Sequence, residues 1–103
     1  MHIDMHHITA KIKLSENFSR PHTNNGIKSG YMPHHKFSGV EGIFSGKHQY
    51  SDENYHFPGE ELTVKIGFPS WENLQGRLQI GDTFELRELN ALVGFGEILS
   101  IQN

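Results

Sequence analysis

The chain has 103 residues, 35% of them hydrophobic and 20% charged, and a formal charge of −3 at pH 7. That length builds one domain with one modest core, and the composition excludes wholesale disorder. No apolar run approaches the ~20 residues that span a bilayer, the first ten residues lack the charged start and apolar middle of a signal peptide, and there is no cysteine, so a reducing, cytoplasmic setting is expected.

Nine basic residues face twelve acidic ones, with eight histidines beside them. Phosphate neutralisation supplies most nucleic-acid affinity, so this balance argues against a strong stand-alone RNA binder. The histidines turn the balance positive below about pH 6, and their plain reading is as exposed, solvated side chains.

The clearest pattern is alternation. In ITAKIKL, Ile8, Ala10, Ile12 and Leu14 share one face, and Thr9, Lys11 and Lys13 the other. Asn24 to Gly26 is a turn signal. GYMPHHKFSG, Gly30 to Gly39, reads as barrel wall at Tyr31, Pro33 and Phe37, with His34, His35 and Lys36 as positions for recognition. GIFSGKH, Gly42 to His48, reads as a strand end running into a polar loop over Ser45 to Asn54. FPGE, Phe57 to Glu60, is a turn that launches a strand in which Leu62, Val64, Ile66 and Phe68 alternate with polar positions and Gly67. SWEN, Ser70 to Asn73, starts a short helical turn, and its Trp71 either plugs a barrel end or anchors an interface. QIGD, Gln79 to Asp82, is a further turn. DTFELRE alternates again, and ALVGFGEILSI is apolar on both faces until Glu97, with Gly94 and Gly96 marking a bend or a close backbone approach. Short period-two strands separated by turns predict an all-β antiparallel barrel or sandwich.

These segments, in this order, bring a family into view. RPHTNNGIKSGYMPHHKF, FPGEELTVKI and GDTFELRELNALVGFGEI together resemble the C-terminal, third β-barrel domain of translation elongation factor Tu. The correspondence rests on Tyr31 and Pro33; on Pro58, Gly59 and Glu60; on Phe84, Leu86, Arg87 and Glu88; and on Val93, Gly94 and Gly96. It runs over roughly Ile8 to Ile101. The resemblance implies a single closed six-stranded antiparallel β-barrel, with Pro58 and Gly59 turning into the fourth strand and the two late glycines bending the last. It also implies a non-catalytic binding module whose partner is tRNA or a translation factor. By position, Arg20, His22, His34 and Glu88 inherit that contact. Met32 stands where the family has an arginine, and Leu89-Asn90-Ala91 stands where the family turn is glycine-rich. The family domain follows a GTPase domain and a second barrel, and these 103 residues contain neither. The negative charge and Met32 leave a second reading open: a protein-interaction module, of inhibitor or immunity type, acting outside translation.

Other chemistry finds little support. GIFSGKH has three residues between its glycines and histidine after lysine, whereas a phosphate loop needs four and then Ser or Thr, so no nucleotide is expected. Neighbouring strand residues point to opposite faces, so neither His6/His7 nor His34/His35 chelates one ion as a pair, and no metal or other cofactor is expected. There is no cysteine nucleophile and no serine in a G-x-S-x-G setting. The expected site is therefore a binding surface formed by Arg20, His22, His34, His35, Lys36 and Glu88.

Overall fold

The computed structural model describes residues 6–17 and 26–102. Its strands are β1 (Ile8–Leu14), β2 (His34–Phe37), β3 (Phe44–Ser45), β4 (Lys47–Gln49), β5 (Glu61–Gly67), β6 (Thr83–Glu88) and β7 (Ala91–Ile101), with a 3-10 turn at Trp71–Asn73. All pairings are antiparallel, in the order β3-β2-β6-β7-β1-β5-β4. The two ends of that order, β3 and β4, are consecutive in the chain with only Gly46 between them. The sheet thus returns upon itself as a nearly closed all-β barrel of seven strands, rather than the six expected. The extra strand arises because the ladder breaks at Gly46, where the amide leaves the sheet pattern to bond the Pro33 carbonyl at 3.1 Å.

The alternation read from the sequence fills the interior. Ile8, Ala10, Ile12 and Leu14 of β1 and Val64 and Ile66 of β5 are buried, and Phe37, Phe68, Phe84, Leu86, Val93 and Ile98 complete the same cluster. Each large apolar side chain so buried contributes about 1.5–3 kcal/mol. β7 departs from its two-faced reading: Phe95 and Leu99 stand on the outer face at 53% and 42% exposure.

The segment Ser45–Asn54 is not the polar loop expected. His48 and Tyr50 alternate inward against Lys47 and Gln49, and both are buried. The period-two signal is present there, but its inner positions carry polar rings in place of aliphatic ones. His35, His48 and His56 are likewise core residues, not solvated ones.

Turns follow their chemistry. At Phe57–Glu60 the Glu60 amide bonds the Phe57 carbonyl at 3.1 Å, and Gly59 takes φ +89°, the sign that the third position of a type II turn demands. Trp71 is half-buried at one barrel end, stacked on His7 at 4.6 Å and lying near-parallel to Phe68 at 6.2 Å. Leu74 and Leu78, which follow it, are buried. Ser70 precedes the turn without a side-chain capping bond.

Gly94 sits where β7 crosses closest to β1. A Cβ there would lie 2.3 Å from the Lys13 carbonyl oxygen, which is backbone and has no rotamer to change. Gly94→Ala is therefore expected to lower stability by about 1–3 kcal/mol, read as a reduced urea midpoint. An unchanged midpoint would show that the β1–β7 contact is looser than described.

Candidate functional site on the outer face of β2 and β6

β2 and β6 run side by side with His34 opposite Arg87, His35 opposite Leu86 and Lys36 opposite Glu85. Alternation sends His34 and Lys36 outward and His35 inward. Of the six residues expected to form the surface, His34, Lys36 and Glu88 lie in this region. His35 is wholly buried and touches no solvent, so its place in a recognition surface is corrected: it belongs to the core. Arg20 and His22 lie outside the described residues.

The charges on this face are largely engaged. The Arg87 guanidinium donates to Glu85 Oε1 from Nε at 2.9 Å, with Nη2 2.8 Å from the same oxygen, and Nη1 donates to the Asn90 carbonyl at 3.3 Å. A half-exposed pair of this kind adds up to about 1 kcal/mol, yet it pins the arginine against the hairpin. The Tyr31 hydroxyl donates to the Glu88 carboxylate. Lys36 is exposed at the far end of β2.

The apolar part was less legible in the sequence. Glu88 pairs with Ala91, so Leu89 and Asn90 form a two-residue hairpin loop between β6 and β7. Leu89 has φ +54°, the only positive φ outside glycine among the described residues, and it is 83% exposed. Positive φ at the first position of such a loop normally falls to glycine, and a branched side chain there costs about 1–2 kcal/mol. At that exposure, burial repays little of the cost. Met32, which precedes β2, is 48% exposed and lines the groove that holds Lys47 and Trp71. The visible signal in the sequence was a tight turn, Leu89-Asn90-Ala91, without glycine.

Two further polar constellations lie elsewhere in the barrel. His56 is held between two carboxylates, with Nε2 2.9 Å from Asp52 Oδ1 and Nδ1 3.1 Å from Glu60 Oε1. Burial pulls its pKa down, but the hydrogen bonds to Glu60 and Asp52 outweigh this and raise it above the ordinary value. Inside the barrel, His35 Nε2 and His48 Nε2 are 2.8 Å apart. That is the separation of a shared proton; two imidazoles on one zinc ion hold their nitrogens at least about 3 Å apart and nearer 4 Å when collinear. Among the described residues no group of three or more His, Asp or Glu is arranged to hold a metal ion. A groove of about 1040 Å³ runs beside Trp71 over Lys47, Lys65 and Gly67, open and lined by both charge signs.

The chain matches no protein-family model and no curated protein.

Two outcomes are expected. Leu89→Gly relieves the backbone and raises stability by roughly 1 kcal/mol in thermal or urea unfolding; a loss of stability would mean that the side chain is held by the fold. The folded-state pKa of His56 is raised, so its contribution is full below the unfolded value near 6.5 and fades as pH rises through the folded value. In Asp52→Asn/Glu60→Gln that alkaline decline should vanish from unfolding midpoints measured between pH 6 and 9.

Proposed function

We propose that this protein is a non-catalytic binding module that engages a protein partner through the outer face of β2 and β6 and the hairpin at Leu89. The observation that carries this reading is Leu89 itself: an exposed, branched apolar side chain kept on a backbone conformation that disfavours it. Conformational cost without a folding return is typical of functional positions. An exposed apolar anchor beside the Arg87–Glu85 pair, with His34 opposite Arg87, has the make-up of a small protein interface, with an apolar centre and a polar rim.

The likeness to the third domain of elongation factor Tu supports a second reading, in which the module is a six-stranded relative of that barrel and the partner is tRNA or a translation factor, met in the cytoplasm. It would draw on Arg20, His22, His34 and Glu88. The engagement of Arg87 by Glu85 and the negative net charge support it less well, because phosphate contact needs free cations.

The two readings separate on salt and RNase. Pull-down from native extract, with half the sample RNase-treated, should retain one protein at 0.5 M salt whether or not RNA is present. Leu89→Asp should cut that retention at least tenfold with unchanged circular dichroism. Co-purifying tRNA, released by salt and lost in Arg20→Ala/His34→Ala, would instead establish the translation reading.

A further inference from the structure

β2 has two faces with different chemistry. Its outer residues belong to the surface just described. Its inner residue His35 begins a hydrogen-bonded chain: His35 Nδ1 lies 3.0 Å from the Phe44 carbonyl, His35 Nε2 lies 2.8 Å from His48 Nε2, and His48 Nδ1 lies 2.9 Å from the Tyr50 hydroxyl. Both imidazoles are fully buried.

The ends of the chain fix the protons. A carbonyl only accepts, so His35 Nδ1 carries hydrogen and donates to Phe44. His35 Nε2 then accepts from His48 Nε2–H, and His48 Nδ1 accepts from Tyr50 O–H. Both rings are neutral and all four ring nitrogens are bonded. A first added proton places a hydrogen on His48 Nδ1, either directly or by reversal of the bond between the two rings, so that Tyr50 can no longer donate to that nitrogen and a cation sits in the core. A second added proton sets two N–H groups against each other at 2.8 Å.

Among the described residues, no carboxylate is shown bonded to either ring of the pair. Phe37 and Phe84 stand against His35 from β2 and β6, and Phe68 from beyond the end of β5. The titratable neighbours are His34 on the same strand, Tyr31 at 5.8 Å with its hydroxyl on Glu88, Tyr50, and beyond Tyr50 the His56 ring with Asp52 and Glu60. The three carboxylates are each committed to those other groups, and none bonds either ring of the pair.

The pair also lies at the weakest part of the barrel. β2, β3 and β4 have four, two and three residues, against seven in β1 and eleven in β7. A Cβ on Gly46, the break between β3 and β4, would sit 2.7 Å from His35 Cε1, so the ring packs directly on the seam.

We propose that His35 and His48 form an acid-operated latch, in which proton uptake opens the β2–β3–β4 seam locally while β1, β5, β6 and β7 remain paired. Burial, above all, lowers the pKa of His35 to about 4 and that of His48 well below its ordinary value, whereas a freed imidazole titrates near 6.5. The opened seam therefore binds more protons than the closed one in that window, and acid favours opening. His56 works in the opposite sense and keeps the bridge between Ile27 and His56 closed as pH falls. Loss of a partner on acidification would rest on the interface proposed above; the opening itself does not.

Hydrogen exchange on the full chain from pH 7 to 4.5, corrected for intrinsic rates, reads the latch directly. Protection of the Gly46 and His48 amides, which bond Pro33 and Tyr31 carbonyls, is expected to fall ten- to a hundredfold per pH unit below about 6, for one or two protons taken up. Amides between β1 and β7 should hold. In His35→Phe/His48→Leu the slope should disappear. If that variant does not fold, nitrogen NMR of the wild-type rings decides: each should show one protonated and one bare nitrogen at pH 7 and titrate together with loss of seam protection. A ring that titrates near 6.5 while the seam stays protected, seam protection that is flat to pH 4.5, or a β1–β7 loss of equal slope would each overturn the latch. Pull-down at pH 7 and 5 separates the two proposals: seam opening without partner loss would remove the interface from β2 and leave the latch standing.

Discussion

Closure of the sheet at Gly46 is the constraint on which the rest of this structure depends. The chain from Phe44 to Gln49 must pair with β2 on one side and β5 on the other, and it changes partner within a single residue. Only a residue without a side chain fits, because His35, Phe68 and Ile66 already fill the space above it. The same step turns His48 inward beside His35. A polar pair in the core of a small barrel thus follows from how the barrel is closed.

That pair is costly unless fully bonded. Two unpaired imidazoles in an aromatic pocket would each lose several kcal/mol of hydration, on the order expected for buried polar groups. The chain from the Phe44 carbonyl to the Tyr50 hydroxyl satisfies every ring nitrogen, and only the neutral pair does so without a charge in the core. The histidines of this protein therefore divide by environment. His35 and His48 require neutrality, His56 between two carboxylates favours the cation, and His34 faces the solvent side of β2. One residue type supplies opposing pH dependences within one small domain.

On the outside, β2 and β6 carry the surface of greatest interest. Its arginine is spent on internal pairing, and Leu89 is held out at the hairpin. The recognition proposed for it rests on shape and a few anchors. The seam histidine and the outer residues share one four-residue strand.

The sequence by itself determined the barrel wall. Period two in Ile8–Leu14, Leu62–Phe68 and Phe84–Leu86 reports a local geometry, alternate side chains on alternate faces, which needs no knowledge of partners. The turns at Phe57–Glu60 and Gln79–Asp82 were legible for the same reason, since proline and glycine act on their own dihedrals. What only the tertiary structure decided was non-local. A polar residue on the inner face reads as solvated until its partner is known, so His35, His48 and Tyr50 looked like surface and loop. The strand count depended on where the ladder breaks at Gly46. The role of Leu89 depended on a backbone angle that its side chain disfavours and that only the hairpin between β6 and β7 imposes.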